Sequence, residues 1–214
     1  KVSTAKISVE NITALKAECR FLRAYYYFDL AKKYGGMPII DAVQSFSGNL
    51  ETILTPRSTE EQLYYFILSD LDAAIADLPN SRDANNANRA VKLTAQALKS
   101  RVALYAGSIA KYGKIQLGGL VGISASKANT YFTASMNSAK AIMNDGRYKL
   151  YTKAYDPASK SGDPDENYRL IFADKGNVEV IFQKAYSTPD KVHAYDNNNY
   201  PQSFKPGCCG NALT

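Results

Sequence analysis

Apolar residues recur at helical spacing along most of the chain. Leu63, Phe66, Ile67, Leu71, Ala74, Ile75 and Leu78 fall three or four apart and predict one helix with a single buried stripe. Ser58, with Glu61 three positions on, reads as a capping box at its start, and Pro79 stops it. Upstream, a helix is predicted from about Thr4 to Tyr34. Within it Arg20 and Arg23 share one flank, while Tyr25, Tyr26, Tyr27 and Phe28 spread around a full turn. That aromatic run is too broad for one face and predicts a helix contacted by protein on most sides. Gly35 and Gly36 end it, and Pro38 forbids its return. A third helix is expected from about Lys92 to Tyr112, with Leu98, Val102, Tyr105 and Ile109 on one face and Gly113 as terminator. Its Ala95, Ala97, Ala103, Ala106 and Gly107 permit close helix–helix approach. A fourth opens at Asn129 or Thr130, turns Tyr131, Phe132, Ser135, Ala139, Ile142 and Met143 inward, and ends at Gly146.

Beyond Gly146 the periodicity fades. Residues 147–169 are rich in Tyr, Asp, Pro and Lys, and Glu179–Gln183 is a short apolar run suited to a strand or a buried extended piece. From Tyr186 onward the chain reads as a long polar loop, a kind of segment that usually carries function or stays disordered. The helices begin at intervals of roughly 35 residues, a tetratricopeptide-like spacing, although the tryptophan pattern of strict repeats is absent. The expected fold is mostly α: tetratricopeptide-like stacked helical hairpins over 1–150, then an irregular loop-rich C-terminal region, 151–214, of the same domain.

Composition narrows the function classes. With 214 residues, 45% hydrophobic and 21% charged, the chain can bury one sizeable core. No apolar run is long enough to span a bilayer. The net charge of +6 comes from scattered lysines and arginines without a block of like charge, which gives little support to nucleic-acid binding. Cys19 is expected to be a small buried residue inside the first helix. The adjacent Cys208 and Cys209 suit a strained vicinal disulfide or pairing with cysteines elsewhere. With one histidine, His193, and no CxxC spacing, a metal site is not expected, and neither is a cofactor.

Three stretches, in register, carry a family resemblance. The order A-E-x-R-F-L-R-A-x-x-Y-x-x-L-x-x-x-Y-G-G-x-P, from Ala17 to Pro38, resembles the signature helix of the SusD/RagB family. Pro56–Glu61 leading to Asp70–Pro79, and Arg89–Lys92 leading to Ala95–Gly107, match the same family in the same order. The resemblance covers roughly 10–150. It implies a surface glycan-binding lipoprotein of Bacteroidetes, located at the outer membrane and working with a TonB-dependent outer-membrane transporter. It also implies a longer protein, with sequence beyond both ends of this chain and a lipid-anchored cysteine in the part that precedes it.

The residues themselves favour binding over catalysis. Asp70 and Asp72 are two apart on a helix and face different ways, and no nucleophile-elbow motif accompanies His193, so neither a paired-carboxylate nor a triad site is expected. A sugar presents an apolar C–H face to an aromatic ring and a rim of hydroxyls to amides and charges. Two loops combine those groups. One carries Phe46 and Asn49; the other carries Tyr186, Tyr195, Asn198 and Tyr200. These six are the expected ligand-binding residues. Tyr25, Tyr26, Tyr64, Tyr105 and Tyr131 are expected instead to bridge helices, and Arg20 and Arg23 to brace them. The reading is non-enzymatic capture of an oligo- or polysaccharide. The alternatives are a helical-repeat scaffold holding a peptide or protein, and a helical glycoside hydrolase.

Overall fold

The structure is a computed structural model and describes residues 9–46, 48–174 and 176–186. The chain divides into two compact units, Lys1–Phe182 and Gln183–Thr214. The first is built on α1 (Val9–Tyr34), α2 (Glu60–Asp77), α3 (Lys92–Tyr112), α4 (Ala128–Asp145) and α5 (Pro164–Ala173). Its two short strands, β1 (Tyr155–Asp156) and β2 (Ser161–Gly162), pair antiparallel. α1 packs on α2, α2 on α3 and α3 on α4, which is the succession of stacked hairpins that the spacing predicts.

The core runs through these contacts. Among the described residues Phe21, Leu63, Tyr64, Ile67, Leu71, Ile123 and Val102 are its largest wholly enclosed side chains, with Ala17, Ala24, Ala95 and Ala106 letting the helices close in. Gly107 lies against the Phe132 ring, where a Cβ would come within 2.8 Å. Ser100 and Ser135 seal the same interface reciprocally, each hydroxyl donating to the other's backbone carbonyl at 3.0 and 2.8 Å.

Arg20 and Arg23 brace the first hairpin. Arg23 forks Asp70 with two bonds of 2.7 Å, and its guanidinium lies 4.8 Å from the Phe66 ring centre. Arg20 pairs more loosely with Asp77 at 3.3 Å. The neighbouring carboxylate holds the Arg23 guanidinium still higher than its usual range.

Several expectations need correction. Cys19 is exposed, because it falls off the Ala17–Phe21–Ala24–Phe28 stripe. α1 is not enclosed on most sides: Leu22, Tyr25 and Tyr26 stand exposed. Among the tyrosines expected to bridge helices, Tyr64 and Tyr131 are buried and Tyr105, though partly exposed, meets the Phe28 ring of α1 edge-on at 5.3 Å between centres, while Tyr25 and Tyr26 stand exposed. The buried row of α4 is Tyr131, Ser135 and Ser138, and Met143 is exposed. The α2 cap is Thr59 with Gln62, one position later than predicted. Ser58 is instead taken by the carbonyl of Met37, to which both its N–H and its hydroxyl donate. Glu61 turns away to accept from the Ser124 N–H at 3.0 Å. Glu179–Gln183 forms no strand. Residues 164–173, read as irregular, are helical because Asp163 caps the N–H groups of Asp165 and Glu166, and Pro164 occupies the first turn.

Tyr64 is an exception to good packing. Its ring is wholly buried, yet its hydroxyl has no hydrogen-bond partner among the described residues. Burial pushes its pKa up, and the nearby Glu60 carboxylate adds to the shift. Removing an unsatisfied buried polar atom recovers its desolvation cost. Tyr64→Phe is therefore expected to hold or raise stability, by about 1 kcal/mol. Thermal unfolding checks this, and a clear loss of stability would show that the hydroxyl is needed.

Candidate functional site

The turn after α1 positions the site. Gly36 donates to the Leu120 carbonyl at 2.7 Å and sits against the Ser58–Glu60 backbone. Arg57 reaches back to the carbonyls of Gly36 and Tyr34 at 2.8 and 2.7 Å. Tyr27 clasps the outgoing chain, donating to the Pro38 carbonyl and accepting from the Ile40 N–H. The chain then leaves as a loop, 41–57, and returns at Ser58. Both roots of this loop, Ile39 and Ser58, line a groove of about 750 Å³ between α2 and α4.

The groove has an apolar floor and a polar rim. Phe66 and the buried Tyr131 form the floor, and Tyr65 stands beside them at 73% exposure, touching no other ring among the described residues. Gln62, Ser69, Lys127 and Thr130 line the same groove with donors and acceptors. The Gln62 amide oxygen is committed to the Thr59 N–H at 2.9 Å, which leaves its NH₂ for a ligand. Glu61 accepts from Ser124 with one oxygen only. Burial, with the Glu61 charge second, raises the Tyr131 phenol, so its hydroxyl stays a proton donor at neutral pH. Such a volume suits a small ligand.

Of the six residues expected from the sequence, the structure places two in the loop rooted on this groove. Phe46 is 62% exposed. Asn49 is exposed and caps a short 3-10 turn, Leu50–Ile53, by accepting from the Glu51 N–H at 3.0 Å. Tyr186 is partly exposed in the second unit, where Lys184 lies 5.2 Å from its ring centre. Tyr195, Asn198 and Tyr200, like His193, Cys208 and Cys209, lie outside the described residues.

Sequence reasoning missed Tyr65, Gln62, Lys127 and Thr130. A signal was present for one of them: Tyr65 is an aromatic residue off the α2 stripe of Leu63, Phe66, Ile67 and Leu71. The aspartates of α2 are engaged elsewhere, Asp70 with Arg23, Asp77 with Arg20 and Asp72 with Lys99. Among the described residues no cluster of His, Cys, Asp and Glu could hold a metal ion.

Fold and groove together define a helical-hairpin protein with a ligand-sized cleft. The family model for SusD-like proteins, described as "Starch-binding associating with outer membrane", matches residues 1–104. A SusD-like protein of Bacteroides fragilis is 32% identical with a TM-score of 0.63, over 86% of this chain and 30% of that one. The helical portion of this chain belongs to the SusD/RagB family. Two more distant structures share the fold. A SusD superfamily protein of Bacteroides fragilis has 20% identity and a TM-score of 0.62, over 94% of this chain and 36% of that one. A protein described as a laminarin-binding SusD-like protein has 20% identity and a TM-score of 0.55, over 86% and 33%. The chain thus spans about a third of the length of these relatives. A search of curated proteins found no match.

Proposed function

We propose that this protein captures a glycan without cleaving it and delivers it to a TonB-dependent outer-membrane transporter, held at the cell surface by a lipid anchor outside this chain. The observation that carries the reading is the α2/α4 groove, in which an unstacked Tyr65 ring stands beside an apolar floor and a rim of amide, hydroxyl and ammonium groups. Ring and rim match the two faces of a sugar. The family description, starch-binding in association with the outer membrane, supports both ligand class and location. The laminarin-binding relative, whose fold is shared, supports the ligand class. Among the described residues no helix is long and apolar enough to cross a membrane. Phe46 and Asn49, on the loop rooted at the groove, are proposed to add ligand contacts there; Tyr186, Tyr195, Asn198 and Tyr200 are proposed as ligand-binding residues of the second unit, taken by itself.

A peptide-holding scaffold is less well supported. The face between α1 and α3, where an extended peptide would lie, is bridged by the chain's own Glu179–Phe182.

A few sugar hydrogen bonds and one stacked ring yield micromolar to millimolar affinity, roughly −4 to −8 kcal/mol. Weak binding of that order suits hand-over to a partner. Tyr65→Ala is expected to weaken glycan binding by about 3- to 10-fold, about 0.5–1.5 kcal/mol. Isothermal titration with a glycan panel checks it. Unchanged affinity would remove the groove from the site, and release of reducing ends would mean hydrolysis instead of capture.

A further inference from the structure

A second cleft, of about 480 Å³, lies between α1 and α3 on another side of the hairpins. Phe21 and Tyr25 form its α1 wall. Thr94, Ala97, Leu98 and Arg101 form its α3 wall, a single helical face at positions i, i+3, i+4 and i+7. The returning segment Glu179–Phe182 closes the third side, with Phe182 set edge-on to Phe21 at 5.5 Å between ring centres.

We propose that this cleft is a second sugar-binding position, taking a neutral pyranose ring of the same glycan class. The inference rests on the glycan reading above. Two rings on different walls, Tyr25 and Phe182, each keep 45% of their surface exposed. Ala97 leaves the wall between Thr94 and Arg101 low. Arg101 is exposed and makes no ion pair among the described residues, so its five donors face solvent unspent. Across the cleft Glu179 accepts from the Tyr151 N–H through one oxygen, at 3.0 Å, and its other oxygen remains for a ligand.

The pairing of groups selects the ligand. Guanidinium only donates and carboxylate only accepts, whereas each sugar hydroxyl does both. Adjacent hydroxyls can therefore satisfy Arg101 and Glu179 together while the C–H faces meet Tyr25 and Phe182. A carboxylated or sulfated sugar could pair with Arg101 but would set the same charge close to Glu179, so a neutral ring suits both groups together. The volume lies within the range of ligand pockets. A protein with positions on two sides could hold one long glycan at two points, or two chains at once, and gain avidity from weak contacts.

The test is titration of the full-length protein with maltohexaose and laminarihexaose, comparing wild type, Arg101→Gln and Tyr65→Ala. Among the described residues Arg101 makes no ion pair, so Arg101→Gln is expected to keep the wild-type melting temperature. The expected result is two binding events in the wild type. Arg101→Gln should weaken one about tenfold, the loss of a charge-assisted bond, and leave the other unchanged. Tyr65→Ala should do the converse. An isotherm unaltered by Arg101→Gln but weakened by Tyr65→Ala overturns the second position and leaves the groove reading intact. Absence of saturable binding to either sugar overturns both.

Discussion

Gly36→Ala is expected to cost about 3 kcal/mol, the upper end of what overpacking a filled site does. The cause is space alone, since Gly36 is not among the residues of positive φ. A Cβ at this position would collide with the Ser58 carbonyl and come within 2.9 Å of both the Glu60 nitrogen and the Thr59 carbonyl carbon. These are backbone atoms at the start of α2, fixed by the reciprocal cap between Thr59 and Gln62. They have no rotamer by which to give way. Gly36 is also bound on both sides, its N–H to Leu120 and its carbonyl to Arg57, so it cannot retreat without losing those bonds. For a domain of this size the melting temperature should fall by roughly 6–12 °C. A melt within a degree of wild type would show that the turn is looser than described.

Arg23→Ala should destabilise by a similar amount, about 3 kcal/mol, for a different reason. The Asp70 side chain is only 8% exposed and receives both bonds of the Arg23 fork. Removing the cation strands a carboxylate that has little water to replace it. The figure sits at the low end for buried pairs because Arg23 is itself one third exposed, and solvent already screens that side. Loss of its contact with Phe66 acts in the same direction. A double-mutant cycle separates these contributions. Arg23→Ala with Asp70→Ala together should cost less than the sum of the single changes, because the stranded charge is gone. Strict additivity would count against the pair as a stabilising unit.

Helices with a buried stripe were legible from spacing alone. α3 starts and stops where predicted, since Lys92 follows a polar turn and Gly113 ends the run. α2 and α4 differ by a residue or two at their starts, where competing caps are equally good by sequence. Ser58 and Thr59 both precede an acid or amide by three positions, and only the Met37 carbonyl, brought in by the α1 turn, decides between them. α5 was invisible to periodicity because none of its residues is buried. Its cap and proline were readable, but they were outweighed by the polar composition around them.

The site was less legible than the fold. Loop aromatics can be named from sequence, and Phe46 is indeed exposed. A groove between two helices is not a property of either helix. Tyr65 and Lys127 are 62 positions apart and meet only because α2 and α4 both pack around α3. Arg23 and Arg101 show the same limit from the other side. Both are helical arginines, yet Arg23 is spent on a buried carboxylate of α2 while Arg101, on α3, makes no ion pair among the described residues, and only the packing of the helices tells them apart.

Helical-repeat proteins are commonly treated as beads on a string, each hairpin exchangeable for another. The segment joining α3 to α4 prevents that here. Gly122 donates to the buried carboxylate of Glu60 at 2.5 Å, and Ser124 donates to Glu61, so the second hairpin is stitched into the first turn of α2. Burial already lifts the Glu60 carboxyl above the usual carboxylate range, with the Gly122 N–H as its counterweight. A chimera that imports α3 and α4 as a cassette would leave that carboxylate stranded. In the loop between Gln44 and Thr55, Gln44 donates to Ile53 and Thr55, so recoding the loop leaves the ties of Gly122 and Ser124 to α2 in place. Engineers seeking new specificity can start from this loop, which stands at the mouth of the groove.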